Sequence, residues 1–90
     1  MPAGGAGVLA RVYVTPKHGI LDPQGKAVAQ SLHALGFPEV GDVTVGRYIE
    51  LQLQPADRGV LEGRVRAMCE RLLANGVIED FRFEVGEPGR

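Results

Sequence analysis

The sequence predicts a two-layer α+β sandwich: β-α-β-α-β in order, with a long middle strand and two helices on one face of a largely antiparallel sheet completed by a second subunit. Three observations predict it. Three segments alternate apolar and polar residues at the two-residue period of a strand. Two segments between them repeat apolar residues at helical spacing behind well-formed helix starts. The middle strand is also longer than its own neighbours can match, which invites strand addition from another copy.

The first strand runs from Val8 to Thr15, after a Gly- and Ala-rich lead over residues 1–7. Val8, Ala10, Val12 and Val14 share one face; Leu9, Arg11, Tyr13 and Thr15 share the other, where Leu9 and Tyr13 are candidates to meet another subunit. Pro16-Lys17-His18-Gly19 ends it. Asp22-Pro23-Gln24-Gly25 then starts a helix, with Asp22 as N-cap for Gln24 or Gly25 and Pro23 where no N–H is needed. This helix reaches about Leu35 and places Val28, Leu32 and Leu35 on one stripe. Gly36 stops it in a Schellman arrangement that brings Phe37 to Leu32.

Val40 to Gln54 is the longest extended segment, with Val43, Val45, Ile49, Leu51 and Leu53 on one face and a bend at Gly46. Arg47 interrupts that face, either just beyond the core's edge or reaching towards a partner's carboxylate or phosphate. Asp57 caps a second helix to about Ala74, with Leu61, Val65, Met68 and Leu72 as its buried stripe, Cys69 and Leu73 on the flank, and Glu62 to Arg66 as a surface pair. Asn75-Gly76 is a helix stop. The last strand, about Glu79 to Val85, puts Phe81, Phe83 and Val85 on one face and Asp80, Arg82 and Glu84 on the other. Residues 8–85 thus form one domain, and 86–90 a frayed tail.

Composition narrows the function. Ninety residues lie near the lower limit for a self-sufficient core, so oligomerisation is expected. The net charge of −1, with acids and bases interspersed, speaks against a nucleic-acid-binding stripe. No apolar run is long enough to span a membrane, and a cytoplasmic address is expected. Cys69, the single cysteine, sits among apolar neighbours that keep a thiol inert. His18 and His33 have no partner at metal-ligand spacing. Glu79 and Asp80 point to opposite faces of a strand and so make no acid–base pair. Lys17 and Arg47 together are a weak candidate for holding an anion.

One string of motifs is specific as a whole: Val12-Tyr13-Val14-Thr15-Pro16-Lys17, Ile20-Leu21-Asp22-Pro23-Gln24-Gly25, Leu35-Gly36, Val45-Gly46-Arg47-Tyr48-Ile49-Glu50-Leu51, and Met68 through Phe81 with its Leu73-Ala74-Asn75-Gly76-Val77-Ile78-Glu79-Asp80 core. In this order it closely resembles the PurS family, the small subunit of phosphoribosylformylglycinamidine synthase in purine biosynthesis, across Val8 to Val85. Arg47 stands where the family usually has Lys, and Gly76 where it usually has Pro.

The resemblance implies a subunit without an active site of its own that forms strand-exchanging dimers or higher homo-oligomers. It implies bridging between a glutaminase subunit (PurQ) and a large synthetase subunit (PurL), with support for ammonia transfer. It implies no cofactor on this chain; glutamine, ATP and Mg²⁺ are used by the partner subunits. The interface candidates are Lys17, Asp22, Gln24, Arg47, Tyr48, Asn75, Glu79, Asp80 and Phe81. The alternative from another class is a stand-alone ligand-binding or acylphosphatase-like domain, which would want an Arg in a Gly-rich anion loop where Lys17-His18-Gly19 stands.

Overall fold

The computed structural model describes residues 7–86. The elements are β1 (Val8–Pro16), α1 (Pro23–Ala34), β2 (Arg47–Leu53), α2 (Arg58–Met68), a π-helical turn (Cys69–Leu73) and β3 (Glu79–Gly86). The first six residues of the expected lead and residues 87–90 of the expected tail lie outside the described residues, and β3 continues through Gly86. The sheet order is β2-β1-β3, antiparallel throughout.

Pairing aligns the apolar faces. Val12 lies between Ile49 and Phe83, Ala10 between Leu51 and Val85, and Val14 between Arg47 and Phe81. Because the side-chain period is two, this register brings Val8, Ala10, Val12 and Val14 of β1, Ile49, Leu51 and Leu53 of β2, and Phe81, Phe83 and Val85 of β3 to the face that α2 covers. Val12, Val14, Val65 and Cys69 are fully buried there, joined by Ala10, Leu61, Ala74 and Val85. The core is aliphatic, as a chain without Trp requires.

Both helices start where their caps place them. Asp22 accepts the Gly25 N–H at 2.9 Å, and Asp57 accepts the Gly59 N–H at 3.1 Å. Helix α1 ends in the expected Schellman motif: Gly36, at φ 100°, donates to His33 O, and Phe37 donates to Leu32 O. Glu62 pairs back with Arg58 at 3.8 Å rather than forward with Arg66, whose guanidinium lies over the Phe83 ring.

The second helix departs from expectation in its last turn. Leu61, Val65 and Cys69 continue the buried stripe, but Leu72 is 83% exposed. The Ala74 N–H reaches back five residues to Cys69 O, so the turn is wider than an α-turn. That extra residue rotates Leu73 and Ala74 inward and carries Leu72 out. Met68, also expected inside, is half-buried at the edge. The reversal then rests on Asn75, whose Oδ1 accepts the Val77 N–H at 3.0 Å.

Gly76 does not use its freedom. Its φ is not positive, and a Cβ there would meet nothing within 4 Å. Gly76→Ala is therefore expected to stabilise the chain by about 0.4–1 kcal/mol, through the unfolded state. Thermal unfolding followed by circular dichroism checks this; a lower Tm would show that the reversal needs glycine.

The described chain is open on one side. Its radius of gyration is 16.8 Å, with extents of 48 × 30 × 19 Å, against about 12 Å for a compact chain of this length. Only Gly25 of α1 is buried, and no residue of that helix belongs to the core cluster. Residues 40–46, the first half of the expected long strand, have no ladder partner among the described residues. The hydrogen-bonded strand begins at Arg47, and the outer edge of β2 is unpaired there too.

Candidate partner-binding site

The polar residues singled out in the sequence converge where β2 begins, the helical turn ends and β3 begins. Arg47 faces the core side of the sheet opposite Val14, at its rim, so its guanidinium is free to reach across the end. Nη1 donates to Glu79 Oε2 at 2.9 Å, while Nη2 donates to Glu79 Oε1 at 3.1 Å and to Leu73 O at 2.6 Å. Glu79 Oε1 also accepts the Asn75 N–H at 2.8 Å. One clasp thus ties β2, the end of the helical turn and the start of β3, and it satisfies a carbonyl that a helix C-terminus leaves free.

Asp22 forms a second tie. Its Oδ1 holds the Gly25 N–H, and its Oδ2 accepts the Val45 N–H at 2.9 Å, joining the start of α1 to the unpaired segment before β2. Between clasp and tie lies a half-open cleft of about 380 Å³, lined by Ile20, Leu21, Asp22, Gln24, Val45, Arg47, Ile78 and Glu79 together with Pro16, Pro23 and Gly46. Five of the nine interface candidates are thereby brought to one place: Asp22, Gln24, Arg47 and Glu79 line the cleft, and Asn75 closes the clasp.

Two more stand beside it. Lys17 Nζ and Asp80 Oδ1 are 2.8 Å apart on the outer surface, and the Lys17 N–H donates to Ile78 O. Both cations expected to hold an anion together, Lys17 and Arg47, are therefore engaged by carboxylates of their own chain. Arg47 reaches Glu79 rather than a partner's acid, and Glu79, named as an interface candidate, is only 17% exposed at its side chain.

The remaining two sit elsewhere. Phe81 is half-buried on the core face, stacked near Phe83 with centroids 6.3 Å apart. Tyr48 is on the opposite sheet face beside Tyr13, its hydroxyl donating to Glu50 at 2.8 Å, with Arg82 over the Tyr13 ring at 3.9 Å. Leu9, expected on that face, is buried. Ile20, Leu21 and Ile78 were not anticipated in the site. The signal available for them was apolar character inside turn segments, where polar residues are the norm.

The electrostatics follow from these contacts. The Val45 N–H above all, and then the Gly25 N–H, hold the Asp22 carboxyl below its ordinary range. The Arg47 guanidinium, helped by the Asn75 N–H, does the same for Glu79, and Glu79 in turn raises Arg47. Tyr48 is raised chiefly by its bond to Glu50, and burial pushes the Cys69 thiol up, away from the thiolate.

Carboxyls depressed by folding stabilise the fold above their unfolded range and lose that contribution as pH falls through their folded values. Stability is therefore expected to be level from neutrality to about pH 5 and to decline below about pH 4. Chemical denaturation along a pH series checks this. Asp22→Asn should flatten part of the decline.

Among the described residues, no group of three or more His, Cys, Asp or Glu side chains is placed to hold a metal ion. No helix among them is long and apolar enough to cross a membrane. Leu21, Leu35, Leu72 and Val77 are each more than 70% exposed. Fold and site together define a small antiparallel α+β module, clasped by ion pairs at one end and open along a strand edge and a helix face.

Comparison with known proteins narrows that class to one family. The family model PurS, phosphoribosylformylglycinamidine (FGAM) synthase, matches residues 9–87. The phosphoribosylformylglycinamidine synthase subunit PurS of Bacillus subtilis is 52% identical over 77 residues, covering 86% of this chain and 90% of that protein. The crystal structure of Methanocaldococcus jannaschii PurS, a subunit of formylglycinamide ribonucleotide amidotransferase in the purine biosynthetic pathway, superposes with a TM-score of 0.79. That structure is 30% identical, and the alignment covers 91% of this chain and 99% of the other. The structure of PurLQS from Thermotoga maritima shares the fold, with a TM-score of 0.77 at 22% identity, over 94% of this chain and 99% of the matched one. The chain belongs to the PurS family, and is a subunit of FGAM synthase, a ligase of purine biosynthesis.

Proposed function

We propose that this chain is the non-catalytic bridging subunit of FGAM synthase: it self-associates, joins the glutaminase subunit PurQ to the synthetase subunit PurL, and supports transfer of ammonia between them. The observation that carries this reading is the open side of the fold. Among the described residues, residues 40–46 have no ladder partner and the outer edge of β2 is free, while Val28 of α1 is 40% exposed and its C-cap Leu35 72%. Exposed apolar surface and unpaired edges on this scale are costly unless another chain covers them.

Geometry suggests how a second copy does so. Its residues 40–46 add to the free edge of β2, and its α1 follows onto the half-buried Ile49, Leu51 and Leu53. A two-fold axis makes the exchange mutual and completes both sheets. The turns and the cleft then remain for PurQ and PurL, with Lys17, Gln24, Tyr48, Asn75, Asp80 and Phe81 among the residues that meet a partner.

The chemistry is assigned to the partners: glutamine to the glutaminase, ATP and Mg²⁺ to the synthetase, all within a cytoplasmic enzyme. A stand-alone anion-binding domain is less well supported, because Lys17 and Arg47 are already paired with Asp80 and Glu79. Gel filtration of the three proteins with glutamine and ATP tests the bridge. Co-elution of PurQ and PurL only when this chain is present supports it; co-elution without it, or separation with it, overturns it.

A further inference from the structure

Residues 43–46 are held in place before any partner arrives. Asp22 Oδ2 takes the Val45 N–H, across 23 residues of chain, while Oδ1 caps α1 through Gly25. Gly25 is buried so closely beneath this segment that a Cβ on it would collide with the Val43 carbonyl oxygen. Gly46 is pressed against β1 in the same way, and a Cβ there would collide with the Val14 carbonyl oxygen. The segment is thus fastened at Val43, Val45 and Gly46, although no strand among the described residues pairs with it.

Each contact has one side only. Consecutive amides of an extended chain point to opposite edges. Engaging Val45 with Asp22 therefore turns the peptide groups of Thr44 outward. A free edge fixed in this way enters a complex with its ordering cost already met.

We infer that Asp22 is a positioning residue for self-association: it holds residues 43–46 as a preformed strand edge that receives a second copy of this chain. This rests on the reading of the chain as a self-associating subunit. It separates two roles of one carboxylate, the helix cap through Oδ1 and the edge anchor through Oδ2. A residue serving only as a cap would be replaced without loss by Ser or Asn, which cap as well as Asp. Ser is too short to reach Val45, and Asn carries one acceptor oxygen in place of two.

Sedimentation velocity over a dilution series, with helix content read by circular dichroism, tests the inference on the full chain. Asp22→Ser and Asp22→Asn are expected to keep the wild-type helix signal and to weaken self-association by about tenfold. Exchange of the Val45 amide should be faster in both, at concentrations where the chain is monomeric. If either variant keeps the helix signal and associates within about twofold of wild type, the positioning role is overturned while self-association stands. If the wild-type chain remains monomeric throughout the series, the self-association reading fails, and this inference fails with it.

Discussion

Gly46→Ala is expected to destabilise the chain by about 3 kcal/mol or more. The new Cβ would fall inside the contact distance of the Val14 carbonyl oxygen and crowd the Thr15 side chain. Val14 cannot yield easily, because β1 is the central strand and is bonded to β2 on one side and β3 on the other. β2 must therefore move, at the point where Arg47 begins the ladder. Urea denaturation of the purified variant checks this. A midpoint within error of wild type would show that the close approach of Gly46 to β1 is not a constraint.

The second large effect is expected at Arg47. Arg47→Met keeps an unbranched apolar stem but removes both bonds to Glu79 and the bond to Leu73 O. Glu79, more sheltered than its partner, keeps only the Asn75 N–H. Arg47 is itself half-exposed, and solvent screens such a pair, so a fall in Tm of about 5 °C is expected rather than unfolding. Lys17→Met is the control: its pair with Asp80 is open to water on both sides and should change Tm little.

Arg47→Lys should fall between them, since a single ammonium cannot grip both carboxylate oxygens and the carbonyl together. As pH falls through the lowered range in which Glu79 loses its charge, the difference between Arg47→Met and wild type should shrink. A difference that stays constant with pH would mean that packing of the side chain, not the ion pair, is what matters.

Features set by neighbours in the chain were legible in the sequence. Asp22 and Asp57 cap the helices they precede, Gly36 takes the left-handed position, and the three alternating segments pair on the faces their period indicates. Asn75 does reverse the chain. These depend on bonds spanning a few residues, so local chemistry is enough to foresee them.

What escaped depends on distant contacts. The straight helical period put Leu72 inside, but the π-helical turn adds a residue and turns Leu72 out, Leu73 and Ala74 in. The clasp brings Arg47 to Glu79 across 32 residues, which only the strand register reveals. The same holds for Asp22: its role as a cap was visible from its position, its hold on Val45 was not. The alternating pattern indicates a long middle strand, yet among the described residues only the part from Arg47 onward finds ladder partners. That remainder is the portion assigned here to a second copy.

The role proposed for this subunit is to make the glutaminase useful to the synthetase. The direct test is FGAM formation by PurQ and PurL with ATP and Mg²⁺, fed either glutamine or ammonium, with and without this chain. Glutamine-dependent turnover is expected to collapse when the chain is omitted, while ammonium-dependent turnover by PurL persists. Equal glutamine-dependent turnover in its presence and absence would contradict the account.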